Sequence, residues 1–546
     1  MNKDRNRKIY VYTTETYMAK GWYKIGETTQ DVEERVRQQD VTSSAEKLIV
    51  VDSWNSPDFS DKDFHAFLKK NGCRRTRQDR DREWYAVVGG IDQIKKLYNK
   101  MSCGSERPNS YKMRPEQQKC HDECIASFEA GDSDNRFLFA CVMRFGKTFT
   151  AYQAMKTLGC SNALILTAKP EVCTSWREDL EQHVDFESYN FIDLRTTPKE
   201  EINFEQKNVF FSSFQYLEAE SSVDKTWILG LGVDLVMVDE EHYGSKTNIS
   251  GEILSHFETA RQIHISGTPY KSWRAGLFKK INSYFYTYKD SQLGSNPGPR
   301  MNIYALNVAQ EVAKAQRFGG YTGEDGFHIA KLFAAADGKF ENESYVECLM
   351  KRVFDPENRM SKSAKLESPL RMKGVNKRNL DHILLRVPNS VDSARALYTM
   401  LNRILGDYEV ILAAGQGGDS VTNVQEVKDK IAANKKTVTI TCGRFETGVT
   451  IPELGAVFLF DGGKSPESYN QMNFRGATPH ESDYWNKEDF YVFDFDPHRT
   501  LELVYVTSMM DKEAGQDMES VLGEFFEVAP VLVQAGVKFV QVKPSE

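Results

Sequence analysis

The 546 residues predict an α/β protein: two parallel-sheet domains preceded by a small α+β domain. Three observations carry this. First, apolar strands alternate with helix-compatible stretches from Phe137 to Ser266, and the alternation returns from His382 onward. Second, a tight loop, Met143-Arg144-Phe145-Gly146-Lys147-Thr148, joins the first of those strands to its helix. Third, the first hundred residues show a different order of short strands and short helices and a different charge.

Length allows several domains, and the 40% apolar content is enough to give each a core. No apolar run approaches the roughly 18 residues of a membrane span. The opening MNKDRNRKIYVY is charged and leads into a strand, unlike a secretory leader. The nine cysteines are scattered without a C-x-x-C pair, which suits a reducing compartment, and a cytoplasmic location in a bacterial or phage-infected cell is expected. Cys120, His121 and Cys124 share one helical turn, a spacing open to a metal site but more ordinary as buried thiols. Residues 1–112 hold 22 Lys and Arg against 17 Asp and Glu, and the remainder 48 against 61. A basic front on an acidic body suggests a polyanion partner for the front.

Within residues 1–100, Lys8–Thr13, Trp22–Gly26 and Leu48–Trp54 read as strands. A helix capped by Thr29 or Asp31 carries Arg35 and Arg37, and a second, Asp61–Asn71, carries His65. Five arginines lie in 74–82, and Glu83-Trp84-Tyr85 leads into another strand. The set Lys8-Ile9-Tyr10, Tyr23-Lys24-Ile25-Gly26, Arg35, Asp61-x-x-x-His65 and Glu83-Trp84-Tyr85 resembles the GIY-YIG nuclease fold. That resemblance implies DNA cleavage with one divalent metal. Glu83 would hold Mg²⁺, Arg35 would neutralise charge on the phosphorane, Tyr10 or His65 would help to activate water, and the arginines would grip the DNA backbone. Lys8 stands at the family's first glycine and Lys24 at its second tyrosine, with Tyr23 one place earlier, so the general base stays open. Residues 101–112 read as a linker.

Residues 113–270 read as the first parallel-sheet domain. Pro115 opens a helix carrying Gln117. In the phosphate loop, backbone N–H groups at the helix start would face an anion, Lys147 would reach the β/γ-phosphates and Thr148 would ligate Mg²⁺. Arg144, Phe145 and Gly146 shape that loop, with Cys141 at the usual first glycine. The strand Val233–Val238 runs into Asp239-Glu240-Glu241-His242, where Asp239 would coordinate Mg²⁺ through water and Glu240 would orient and deprotonate the attacking water. Arg261–Ser266 ends in Ser266-Gly267-Thr268-Pro269. This ordered set is similar to the superfamily 2 DEAD/DEAH-type helicases, in a phage and restriction-enzyme-like group, which implies RecA-like domains and Gln117 as an adenine contact.

Residues 271–375 read as an inserted element with helices Ala330–Ala336 and Glu343–Val353, and 376–510 as the second RecA-like domain. There, Thr447-Gly448-Val449-Thr450 resembles the loop that couples ATP to DNA, Gly448 allowing close backbone approach. Gln471 and Arg475, four apart on a helix, match the start of the family's last motif, whose final arginine position is Thr478. Arg475 is therefore the expected γ-phosphate contact. Residues 511–546 form a C-terminal segment. The expectation is an ATP- and Mg²⁺-dependent DNA translocase or helicase with a fused endonuclease, acting on double-stranded, branched or single-stranded DNA in phage DNA metabolism or restriction. Further protein subunits are compatible with it. The alternative is a motor whose front module only binds DNA.

Overall fold

The computed structural model describes residues 7–43, 46–56, 59–76, 83–104, 107–131, 135–219, 225–239, 248–270, 278, 282–294, 297–308, 329–355, 366–388, 390–415, 417–421, 423–443, 450–482, 485–512, 515–535 and 538–545. Glu240 and Gly448 lie outside the described residues, as do 77–82 of the arginine cluster. The chain divides into two compact units: 1–129, 146–237 and 253–262 in the first, 130–145, 238–252 and 263–546 in the second.

The first unit opens with a five-stranded sheet of β1 (Lys8–Thr13), β2 (Trp22–Thr28), β3 (Ile49–Asn55), β4 (Arg74–Arg75) and β5 (Trp84–Ala86), in the order β3-β1-β2-β5-β4. Its pairs are antiparallel. Strand residues alternate between faces. Ile9, Val11, Tyr23, Ile25 and Tyr85 pack with Phe64 and Leu68 of helix Asp61–Lys70 and with Ile94 and Leu97 of helix Gly90–Cys103. Tyr10 and Tyr12 pack on the opposite face with Val32 and Val36 of helix Val32–Ser43. Both faces are covered, which is why KIYVYT reads as one unbroken apolar run. Helix Asp61–Lys70 starts at a capping box in which Ser60 and Asp63 exchange hydrogen bonds.

The expected linker 101–112 is more structured than its composition suggests. Helix Gly90–Cys103 runs three residues into it and stops at Gly104, whose φ of +80° suits glycine. Beyond it, Asn109 N–H donates to Gln182 O (3.0 Å) and the Arg107 guanidinium donates to His183 O (3.0 Å). Helix Cys173–Gln182 leaves its last carbonyls without intrahelical donors, and these residues supply them.

The next strands are β6 (Arg136–Cys141), β7 (Asn162–Thr167), β8 (Tyr189–Asp193), β9 (Lys207–Ser213), β10 (Leu235–Asp239), β11 (Arg261–Ser266) and β12 (Ser283–Tyr286). In the first unit the order is β10-β7-β9-β8, with β7, β9 and β8 parallel. β8 is an outer strand without a sequence signal, because YNFID buries only alternate residues. In the second unit the order is β12-β6-β11-β10, with β12 parallel to β6, so one strand separates the end of β6 from Asp239.

The second unit also contains β13 (Arg300–Ala305), a hairpin of β14 (Ala335–Ala336) and β15 (Lys339–Phe340), β16 (His382–Arg386), β17 (Glu409–Leu412), β18 (Thr437–Thr441), β19 (Ala456–Leu459), a hairpin of β20 (Glu481–Ser482) and β21 (Trp485–Asn486), β22 (Asp489–Asp494), β23 (Val531–Ala535) and β24 (Lys538–Gln541). Eight of these form one sheet, β17-β18-β16-β19-β22-β13-β23-β24, parallel up to β23 and antiparallel at its β24 edge.

Three expectations change here. The stretch read as an inserted element supplies β12 to one sheet and β13 to the interior of the other. The expected helix Ala330–Ala336 is helical among the described residues only over Ile329–Leu332, because Ala335 and Ala336 pair with Phe340 and Lys339 as β14. The C-terminal segment supplies β23, which pairs with β13. Helix Glu343–Val353 forms as expected, burying Val346, Leu349, Met350 and Val353 on one face.

Candidate active sites

The phosphate loop is built by two constraints. Strand β6 ends at Cys141, which is fully buried, and Val142 N–H still donates to Tyr286 O (2.8 Å), so the loop leaves from a fixed edge. Phe145 is buried against Tyr284 and Tyr286. Gly146 then caps helix Lys147–Thr157 with φ +84°, ψ +41°. A Cβ at that position would stand 2.4 Å from Gln117 Nε2, so the buried Gln117 amide lies directly on the loop glycine. Gln117 Oε1 is held by Arg114 N–H at 2.9 Å, which fixes the side chain at the start of its helix. Lys147 and Thr148 are half-buried in the first turn. Arg144 also has positive φ, +70°, a conformation costing a non-glycine residue about 1–2 kcal/mol.

In the second unit, residues 143 and 144 meet the last expected motif. Gln471 is buried on helix Pro466–Asn473, and its amide approaches Thr268 Oγ1 at 3.5 Å. Arg475 stands past the helix end, two residues beyond Asn473, rather than on it. Its Nε donates to Gln471 O (3.1 Å), which keeps the two residues together, and its Nη2 donates to Met143 Sδ at 3.3 Å. Arg144 Nη2 donates to Thr478 Oγ1. Nearby, the buried Lys487 donates to Pro452 O (2.6 Å) and Leu454 O (2.9 Å); burial first, then the Arg144 charge, pull it down to about 7. Lys487 escaped sequence reading because it lies in no motif, whereas Thr478 stands at the final arginine position of the last motif.

The parallel strands of the eight-stranded sheet also end in a buried ionic network. Arg499 bonds Asp494 and, at 2.8 Å, Asp461; Arg386 stands 3.2 Å from Asp461; Thr500 Oγ1 donates to Asp494 at 2.8 Å.

The N-terminal sheet gathers some of its expected residues and separates others. Register places Tyr10 opposite Gly26, Tyr12 opposite Lys24, and Lys24 opposite Trp84, all on one face. Tyr10 is buried, stacks on Tyr12 at 6.1 Å, and accepts from Gln39 Nε2 at 3.4 Å. The Lys24 ammonium lies 5.5 Å from the Tyr12 ring centroid and 3.7 Å from Glu83 Oε2. Glu83 is 39% exposed, open enough to take a hydrated divalent ion between its carboxylate and a phosphate. Arg35 is half-buried beside Val36. His65 belongs to the other face. Its Nε2–H is spent on Ile25 O at 2.8 Å and its ring lies 5.1 Å from Tyr85, so water activation through Nε2 does not fit. Tyr12, Trp84 and Gln39 were missed as neighbours; the two-residue alternation of β1 is the signal that finds Tyr12, while Trp84 arrives through the β2–β5 pairing. Among the described residues, no three His, Cys, Asp or Glu side chains gather into a metal cluster, the Cys120–Cys124 turn included. His121 instead bonds Thr157 Oγ1 and Asp122. No described helix is long and apolar enough to cross a membrane.

Two segments match protein-family models. Residues 110–271 match the res subunit of type III restriction enzymes, which supports a superfamily 2 helicase of restriction-enzyme type. Residues 8–102 match the T5orf172 domain. A Mycoplasma pneumoniae protein described as the C-terminus of the type II restriction enzyme and methyltransferase RM.MpnORF110P is 27% identical over 500 residues, covering 74% of this chain and 67% of that protein. Among solved structures, the DNA-bound ATP-dependent Type ISP restriction-modification enzyme LlaBIII matches at 13% identity and TM-score 0.48, over 74% of this chain and 30% of that one. A Vibrio vulnificus fragment described as an HsdR subunit of a type I restriction enzyme matches at 15% identity and TM-score 0.47, over 90% and 78%. The chain thus spans under a third of LlaBIII and about two-thirds of the Mycoplasma protein.

Proposed function

We propose that this chain is an ATP-driven DNA translocase or helicase of a restriction-type system whose N-terminal domain is a metal-dependent nuclease of GIY-YIG type. The observation that carries the motor reading is the convergence of Met143, Arg144, Gln471, Arg475 and Thr268, residues drawn from the loop and motifs on which ATP hydrolysis depends. In this reading Gly146 and the helix start bind phosphate, Lys147 holds the β/γ-phosphates, and Gln117 contacts the base. Thr148 and Asp239 would hold Mg²⁺, which would supply charge neutralisation on the phosphates, and Glu240 would take the proton of the attacking water. Gly448 belongs to the loop that transmits closure to DNA.

For the front domain, Tyr10, Arg35 and Glu83 keep the roles that the resemblance implies, with Lys24 completing the charged face. A second reading, a module that only binds DNA, is favoured by the Lys24–Glu83 pair, since an ammonium beside the carboxylate competes with a metal ion. Supercoiled plasmid incubated with Mg²⁺, with and without ATP, separates the readings. Glu83→Ala is expected to abolish nicking, and Lys147→Ala to abolish DNA-stimulated ATP hydrolysis. Full turnover in Lys147→Ala sinks the motor assignment; unchanged cleavage in Glu83→Ala leaves a binding module.

A further inference from the structure

The backbone at Arg144 is held in the left-handed region, where an arginine gains nothing locally. That geometry sends the guanidinium to Thr478 Oγ1, a buried hydroxyl three residues beyond Arg475. Arg475 is itself buried and touches Met143, the residue beside Arg144. Desolvation of its head group, then the Arg475 charge, pull Arg144 down to about 10, although the residue as a whole is exposed. The Arg144 charge also opposes protonation of the nearby Lys487. Like charges gathered at one loop raise one another's energy, and a polyanion between them reverses the sign of that interaction. Two planar guanidinium forks suit phosphate oxygens. The chain proceeds from Arg144 through Phe145 to Gly146 and Lys147, the residues assigned above to a triphosphate.

We propose that Arg144 is a second guanidinium of the nucleotide site, delivered by the phosphate loop itself, and that with Arg475 it clamps the terminal phosphate of a nucleoside triphosphate. The inference rests on the ATPase reading. In the step it serves, a water oxygen bonds to the γ-phosphorus while the bond from that phosphorus to the β,γ-bridging oxygen breaks. The bridging oxygen leaves with its electron pair on the diphosphate, and the water proton passes to the carboxylate at 240. Arg144 stabilises the charge that grows on the γ and bridging oxygens. Thr478 is its positioning residue.

The test uses the full chain with DNA and Mg²⁺, measuring kcat and KM for ATP together with binding of ADP and of AMP-PNP. Arg144→Ala is expected to lower kcat by about 10²–10³-fold. ADP affinity should stay within about threefold while AMP-PNP affinity falls tenfold or more, because only the latter presents a γ-phosphate. Thr478→Val should lower kcat less than Arg144→Ala. Arg144→Ala combined with Thr478→Arg should recover part of the loss by returning a guanidinium to the same place. Equal losses in Arg144→Ala and Thr478→Val, with ADP and AMP-PNP weakened alike, would mean that Arg144 is only a structural tie, and would overturn the proposal. Undiminished kcat in Arg144→Ala overturns it too. A wild-type chain that hydrolyses no ATP overturns the ATPase reading along with it.

Discussion

Gly26 shows how a single position can hold a site in shape. The Tyr10 ring crosses the backbone of β2 so closely that a Cβ on Gly26 would lie 2.9 Å from its hydroxyl. Tyr10 cannot easily yield, being stacked on Tyr12 and packed with Val32 and Val36. Gly26→Ala is therefore expected to cost about 1–3 kcal/mol locally, as overpacking does in a filled core. Hydrogen exchange at the β1 and β2 amides checks this: exchange there should accelerate while β16–β19 amides keep their protection. The glycine of a sequence motif is thus explained by the tyrosine across the strand. Tyr10 and Gly26 are legible as motif residues, but that they touch follows only from the strand register.

Elements are joined in the second unit by charge as well as by packing. Arg386 ends β16, Asp494 ends β22, Asp461 follows β19 by two residues, and Arg499 on helix Pro497–Ser508 ties the two aspartates together. Arg499 and Asp494 are almost wholly buried, so each depends on its partner to offset lost hydration. Arg499→Met keeps the stem but leaves Asp494 and Asp461 without that guanidinium, and is expected to cost about 3–5 kcal/mol. Denaturant unfolding followed by far-UV circular dichroism would show it as an earlier transition of this unit. Asp494→Asn combined with Arg499→Met should recover part of the loss, since it removes a stranded charge.

For the molecule as a whole, titration gives a stability prediction with a definite sign. Lys487, held near 7 instead of its usual 10.5, is neutral in the folded chain across a range where the unfolded chain binds its proton. The unfolded state therefore carries more protons between about pH 7 and 10.5, and this lysine's contribution makes stability rise with pH over that window. At the acid end, burial lowers His264 to about 3 and His382 to about 4 from 6.5, so their contribution is lost as pH falls below 6.5. Urea midpoints at pH 7 and pH 9 should thus favour the wild type at the higher pH relative to Lys487→Met, which cannot titrate. Equal pH dependence in the two proteins would refute the assignment.

The features legible in the chain before folding are local in range. Strand and helix alternation, the capped helix starts, the Gly-Lys-Thr turn and the order of the motifs all follow from propensities and periodicities within about twenty residues. The strands β6, β7, β9, β11 and β18 lie within a residue or two of where their apolar runs place them, because a run buried in a parallel sheet has few other solutions. Tertiary structure decided what depends on partners far along the chain. Short β12 and β13 become strands only through β6 and β22. Lys24 and Glu83 meet across the β2–β5 pair. His65 turns to Ile25 on the face opposite Tyr10. Arg144 reaches Thr478, 334 residues away. Such contacts have no local signature: any arginine and any threonine would leave the sequence pattern unchanged, and only the folded backbone brings these two together.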